Sequence, residues 1–223
     1  MIKLETNNPV AIDSEDHIFP WGTKRDNSTN VGFIDEILEY NILKGKDEIK
    51  FLDLGCAGGQ LVIDIFNRGH LSVGLEGSDY NVKHKRVNWK DYYNKNLFTC
   101  DVTKPYKLYN NDEPIQFDTI TAWEVVEHIK PKDLKMFFKQ INDNLCPGGF
   151  FCGSISYAED AVKDEKGEWH VMHQTVWDQI KWNEKFPSIL EGTDLEVYDY
   201  PFIHKVRSEF RSFFVLLEKK LEK

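Results

Sequence analysis

The amino-acid sequence predicts an α/β fold: a mostly parallel sheet of seven strands, helices on both faces, and an antiparallel last strand. Three observations lead there. Short apolar runs alternate with helix-spaced segments between residues 34 and 156, the pattern of a parallel sheet with crossover helices. The last two apolar runs, residues 195–200 and 212–218, have no helix-length segment between them and therefore pair antiparallel. The first strand ends in an acid and runs into a glycine-rich turn that opens a helix.

Residues 7–30 are rich in Asn, Asp, Pro, Ser and Gly without a sustained period, and read as an irregular arm whose Pro20-Trp21-Gly22 turn carries a large aromatic. Ile34, Ile37, Leu38 and Ile42 are spaced as a helix face that stops at Gly45. A strand follows at 49–54, a helix at 61–68 closed by Gly69, and a strand at 71–75. A mixed helical stretch at 80–93 leads to strands at 97–100 and 117–123. Residues 131–145 place Leu134, Phe137, Phe138, Ile141 and Leu145 on one side of a helix, and Pro147-Gly148-Gly149 turns the chain into a strand at 150–156.

With 223 residues, 41% of them hydrophobic, the chain can bury one core, and we expect a single domain spanning residues 1–223. The net charge of −9 repels phosphate backbones and anionic surfaces, so a large nucleic-acid partner is disfavoured and no membrane partner is expected. Cys56, Cys100, Cys146 and Cys152 contain no C-x-x-C pair and indicate neither disulfides nor a zinc site. The first twenty residues lack a signal-like apolar stretch, so cytoplasmic residence is the expectation.

The strongest local signal is Leu52-Asp53-Leu54-Gly55-Cys56-Ala57-Gly58-Gly59-Gln60. Glycines there let a ligand approach the backbone, but Ala57 and Gln60 break the nicotinamide-dinucleotide fingerprint. Glu76 ends the second strand before Gly77, and Asp101 ends the third before Val102. Acids at the carboxyl ends of successive parallel strands line the crevice where open α/β sheets bind ligands, and Glu76 suits the two hydroxyls of a ribose.

On these residues the sequence resembles class I S-adenosylmethionine (SAM) dependent methyltransferases, whose sheet is Rossmann-like, over residues 49–218. Leu52 to Gly59 is similar to the family's first motif, Val73-Gly74-Leu75-Glu76 to its second, and Cys100-Asp101-Val102 to its adenine-side motif. The segment 118–128 resembles the loop facing the acceptor, and Leu145-Cys146-Pro147-Gly148-Gly149 the turn before the fifth strand. The resemblance implies SAM as cofactor, with Asp53, Gly55, Cys56, Ala57, Gly59, Glu76, Gly77, Asp101, Val102 and Trp123 as the binding set. Residues 55–59 would pack under the methionine moiety, Glu76 would hold the ribose, Asp101 with the Val102 amide would face the adenine, and Trp123 would lie beside the cofactor. Ala57 stands where the family usually has glycine, and Gly58 is expected to take the tightest bend.

Catalysis of this kind needs an in-line approach to the sulfonium methyl, with a base when the acceptor is a hydroxyl. Glu124, Glu127 and His128 have the i, i+3, i+4 spacing of one helical turn facing the crevice. Residues 157–194 form an insertion expected to line the acceptor site. There Trp177, Ile180 and Trp182 read as a core face, leaving His170 and His173 free for the acceptor. The expected catalytic residues are His128, His173 and Glu127, with the two histidines on opposite walls. The arm around Trp21, Gly22, Lys24 and Arg25 is a candidate lid. The acceptor is read as a small molecule, a hydroxyl of a sugar or another metabolite. Two alternatives stand beside it. In one, Glu124, Glu127, His128 and a later His hold a divalent metal, as in small-RNA 3′-end 2′-O-methyltransferases; the metal is the less favoured account. In the other, the chain binds SAM without catalysis.

Overall fold

The structure, a computed structural model, describes residues 1–24, 31–204 and 211–221. In chain order the elements are β1 (Ile2–Thr6), α1 (Glu15–Ile18), α2 (Val31–Leu43), β2 (Lys50–Leu54), α3 (Gln60–Asn67), β3 (Leu71–Glu76), α4 (Tyr80–Lys83), α5 (Trp89–Tyr92) and β4 (Leu97–Thr99). There follow β5 (Tyr106–Asn110), β6 (Glu113–Pro114), β7 (Phe117–Trp123), α6 (Leu134–Asn144), β8 (Leu145–Ser156), β9 (Ala161–Lys163), β10 (Trp169–Val171), α7 (Gln179–Ile189), β11 (Leu195–Tyr198) and β12 (Ser212–Lys219).

The central sheet has seven strands in the order β11-β12-β8-β7-β2-β3-β4. Its middle is parallel, with Leu52 opposite both Val73 and Ile120, and only β12 runs against its neighbours, β8 and β11. The predicted fold class therefore holds. β7 is buried at every position because both of its faces are covered. On one face, Phe33 and Ile37 of α2 and Ile65 of α3 pack with Phe51, Phe150 and Leu216. On the other, Phe137, Phe138, Trp182 and Phe186 of α6 and α7 pack with Leu52, Phe151 and Leu217. Alternate residues of each strand serve opposite faces, and burying each such side chain contributes roughly 1.5–3 kcal/mol.

Several expectations are corrected. The helix face of α2 uses Asn41, not Ile42: Ile42 is exposed, whereas Asn41 is buried, donating to the Ile37 carbonyl and to Thr119 Oγ1, each at 2.9 Å. The stretch 80–93 is two single-turn helices, separated by left-handed residues Lys85 (φ 49°) and Val87 (φ 44°). Ile180 is exposed, so the core face of α7 begins at Trp182. The arm includes α1, capped by the Ser14 hydroxyl, and β1 pairs with β5 in a separate sheet of order β1-β5-β6. Its signal was the alternation of half-buried Ile2 and Leu4 with exposed Lys3 and Glu5. All four cysteines are free thiols. Among the described residues no helix is long and apolar enough to cross a membrane.

Among the described glycines, Gly153 of β8, which pairs with Ala122 of β7, leaves the least room for a side chain. A Cβ at Gly153 would lie 2.0 Å from the Ala122 carbonyl oxygen, and neither backbone can retreat without opening the ladder. Gly153→Ala should cost about 3 kcal/mol or more, read as a lowered urea midpoint; an unchanged midpoint would show that the two strands can part.

Candidate active site

A cavity of about 740 Å³ lies beyond the carboxyl ends of β2, β3, β4 and β7, roofed by the arm and the insertion. Open α/β sheets place their ligand crevice at these strand ends, and the volume lies within the range of small-molecule sites.

One end is built around Glu76. Its buried carboxylate accepts from the backbone N–H of Ala57 (2.9 Å), the N–H of Ser78 (3.1 Å) and the Thr23 hydroxyl (3.2 Å). Burial pushes the Glu76 carboxyl above its ordinary range, and these three donors oppose the shift. Ala57 itself takes the left-handed conformation at φ 44°, between Gly55 at 70° and Gly59 at 79°, so the bend is not handed to Gly58. Its carbonyl is held by the Trp89 indole N–H (2.6 Å) and the Asn81 amide (3.0 Å), and Asn81 also donates to the Thr23 carbonyl (2.8 Å). This bracing by Thr23, Asn81 and Trp89 was not anticipated.

Gly55, Ala57, Glu76, Gly77, Asp101, Val102 and Trp123 line the cavity. Asp53, Cys56 and Gly59 lie beneath it. Asp53 accepts from the Thr121 hydroxyl at 2.6 Å, Cys56 packs against Leu97, and Gly59 precedes α3 in a left-handed conformation. Asp101 Oδ1 accepts from Thr103 N–H (2.9 Å) and hydroxyl (2.6 Å). Trp123 stands edge-on to Phe33 at 4.9 Å, and its indole N–H has no hydrogen-bond partner.

The other end differs from the helical turn that the spacing suggested. β7 is stopped by Glu124 in a left-handed conformation (φ 55°), and its carboxylate accepts from the hydroxyls of Ser154 (2.6 Å) and Ser212 (3.1 Å). Glu127 and His128 sit on a 3-10 turn, Val126–His128. Glu127 is fully buried; Oε1 accepts from Ser156 N–H at 3.2 Å, and Oε2 has no hydrogen-bond partner. Burial pushes its carboxyl up to about 8 against the pull of His128. Burial also acts to lower His128, but the Asp16 carboxylate 2.8 Å from its Nδ1 outweighs this and raises it to about 9.

His128 and His173 are not on opposite walls. Their rings meet edge to face with centroids 4.6 Å apart. His173 Nδ1 is 2.6 Å from the Ala158 carbonyl, so Nδ1 carries the proton and Nε2 keeps its lone pair. Burial lowers the His173 pKa, and the neighbouring His128 charge adds to that. Ligand atoms of Glu127, His128 and His173 lie within 4.8 Å of one another, and Glu124 is not of this group.

His170, expected to face the acceptor, does not line the cavity. Its ring nitrogens face Glu15 (3.2 Å) and Asp164 (3.4 Å). The arm lines the cavity along two stretches, one that includes Glu15 and Asp16 and one formed by Trp21, Gly22 and Thr23. Lys24 lies over the Trp21 and Tyr80 rings at 5.2 and 4.8 Å, and Arg25 is outside the described residues. Asp160, Val162, Met172, His173 and Gln174 bring the insertion into the cavity wall, whereas Trp177 and Trp182 pack together at 5.0 Å against the core.

The strand order and the strand-end crevice define a Rossmann-like nucleotide-binding architecture. The methyltransferase domain family matches residues 27–198, and the chain belongs to that family, as the resemblance to class I SAM-dependent methyltransferases implied. Among curated relatives, the mitochondrial ubiquinone biosynthesis O-methyltransferase of Bos taurus is 32% identical over 168 residues, covering 67% of this chain and 42% of the relative. The chain thus spans less than half of that relative's length. A SAM-dependent methyltransferase from Clostridium acetobutylicum superposes with a TM-score of 0.60 at 16% identity, covering 92% of this chain and 96% of that one. DhpI, solved in complex with SAH, gives 0.55 at 12% identity, with the same coverages.

Asn81 ties the arm to the turn after β2 by donating to the Thr23 and Ala57 carbonyls, beside the bridge that Glu76 makes between the same two segments. Asn81→Ala should cost about 1–3 kcal/mol, the usual cost of stranding buried polar groups, and should expose the arm near Lys24 to trypsin while the sheet stays folded. Wild-type resistance to limited proteolysis would show that the arm is held elsewhere.

Proposed function

We propose that this chain transfers the methyl group of SAM to a hydroxyl of a small-molecule acceptor. One observation supports this reading best: a single cavity joins the Glu76 end to a histidine whose Nε2 is open. The donor set fits an adenosine-bearing ligand. Glu76 and Asp101 offer carboxylates for hydroxyls and an exocyclic amine, and the Val102 amide offers a donor. Three of the roughly four lone-pair directions of Glu76 are taken, so a ribose hydroxyl takes the fourth or replaces that of Thr23. When bound, SAM supplies an electrophilic methyl on a sulfonium. The chain excludes water with its arm, orients the acceptor and receives the hydroxyl proton at His173 Nε2.

The relatives' name specifies an O-methyltransferase of ubiquinone biosynthesis, which supports a hydroxyl acceptor and not a sugar in particular. The RNA alternative needs Glu124 beside Glu127, and Glu124 is instead engaged by two serines. A non-catalytic binder leaves the histidine pair without a use.

A second reading of the acceptor end has one observation in its favour. Glu127 Oε2 is buried without a partner, His173 commits Nδ1 to the Ala158 carbonyl and keeps Nε2, as metal-ligating imidazoles do, and the His128 ring stands beside both. Glu127, His128 and His173 would then hold a divalent cation, which lowers the pKa of a bound hydroxyl.

Glu76→Ala should weaken SAM binding by about 1.5–3 kcal/mol by calorimetry; unchanged affinity would remove the ribose assignment. His173→Ala should lower turnover about 100- to 10,000-fold on any active member of a panel of phenols, catechols and sugars, with SAM affinity preserved. Full activity of chelated enzyme supports the base. Activity lost in chelator and restored by magnesium, manganese or zinc supports the cation.

A further inference from the structure

Helix α1 carries three consecutive side chains that each reach a different segment around the cavity. Glu15 Oε2 lies 3.2 Å from His170 of the β9–β10 hairpin. Asp16 Oδ2 lies 2.8 Å from His128, beyond β7. His17 Nδ1 lies 4.0 Å from Asp79, beyond β3. The flanking segments are fastened to the cofactor end: the Asp101 N–H donates to the Asn8 carbonyl and the Ala11 N–H to the Gly77 carbonyl, each at 2.9 Å, and the Thr23 hydroxyl reaches Glu76. One segment therefore touches residues at both ends of the cavity.

We propose that Asp16 is a positioning residue of the acceptor end, delivered by the arm, so that the His128–His173 pair is aligned only while the arm lies across the cofactor end. This rests on the methyltransferase reading above. His128 closes the 3-10 turn, whose backbone is fixed by bonds to the Val125 and Val126 carbonyls, and among the described residues the ion pair of its imidazole is with Asp16. His173, by contrast, is held by the Ala158 carbonyl on its own segment. Without the carboxylate, the His128 ring is free to rotate about its side-chain torsions, and the edge-to-face contact at 4.6 Å is lost. The consequence is an order of events: the arm closes, His128 is set against His173, and only then is the acceptor hydroxyl met by an aligned site. An open arm leaves a site that binds acceptor without aligning the pair.

The alternative is that Asp16 merely helps to pin the arm, as Glu15 does through His170. The test separates pinning from positioning by comparing full-length Asp16→Asn with full-length His170→Ala, which removes the neighbouring pin without touching the cavity wall. Both variants should release S-adenosylhomocysteine faster than wild type in stopped-flow measurements. At saturating SAM and acceptor, Asp16→Asn should lose about 10- to 100-fold in kcat, in line with groups that orient a functional imidazole, with little change in acceptor KM; His170→Ala should lose no more than about threefold. Equal kcat losses in the two variants, or none in Asp16→Asn, would overturn the proposal. Crystal structures of wild type and Asp16→Asn with S-adenosylhomocysteine give a readout independent of turnover. The His128 ring should leave its contact with His173 in the variant, and a ring that stays in place would overturn the proposal even if no acceptor in the panel is methylated. Absence of methyl transfer by wild type to every panel member, with S-adenosylhomocysteine still bound, would count against the acceptor reading alone.

Discussion

The buried carboxylate of Glu76 is the constraint around which the site is arranged. A charge withdrawn from water is tolerated only when donors replace its hydration. The three donors come from three places: the turn after β2, the turn after β3, and the arm. The backbone of Ala57 must turn its N–H inward, which puts a non-glycine residue in the left-handed region at a cost of roughly 1–2 kcal/mol. The bonds of Trp89 and Asn81 to the Ala57 carbonyl hold that conformation from the opposite side. One acid thus accounts for the strained turn, for the two side chains that brace it and for the docking of Thr23.

What the sequence made legible follows from how local each signal is. The alternation of strand and helix and the glycine turn are carried by neighbouring residues, so the seven strands and the Glu76–Asp101 crevice could be read in advance. The β1–β5–β6 sheet was not, because β1 pairs with a strand about a hundred residues away and β6 has two residues, so neither neighbour of β5 is announced by a crossover helix. Glu124, Glu127 and His128 were misplaced because i, i+3, i+4 spacing assumes a helix, whereas a left-handed residue ends β7 and a 3-10 turn follows. Pairs such as Asp16 with His128 join positions more than a hundred residues apart and leave no trace in spacing. Their signal is the run Glu15-Asp16-His17, which in sequence reads as an ordinary polar helix start.

The two ends of the cavity are held by different means. At the Glu76 end, Ala57, Glu76, Gly77, Asp101 and Val102 belong to strand ends or to the turns that follow them, so the sheet sets most of the geometry and the arm adds Thr23. A left-handed non-glycine residue occurs there, Ala57, and another at Glu124, where the hydroxyls of Ser154 and Ser212 tie the end of β7 to β8 and β12. Backbone strain of this kind persists only where surrounding structure over-determines it, and the central, fully buried strands supply that rigidity.

The acceptor end is assembled from segments that the sheet does not order directly. The carbonyl of Glu127 accepts from the N–H groups of Gln174 and Thr175, at 2.7 and 2.9 Å, and the Thr175 hydroxyl donates to the Ile129 carbonyl at 2.6 Å. The loop after β7 therefore carries the insertion, and His173 inherits its place from these bonds as well as from Ala158. His128 has no such frame on its imidazole. The arm that reaches it is held by side-chain ion pairs, which salt screens, and by isolated backbone bonds such as those of Ala11 to Gly77 and Asp101 to Asn8, fewer than a strand ladder supplies. A site that must admit and release two ligands needs one part that yields first. Under the closure proposed above, that part is the arm, because its opening would break a few polar contacts and leave both hydrophobic layers of the sheet intact.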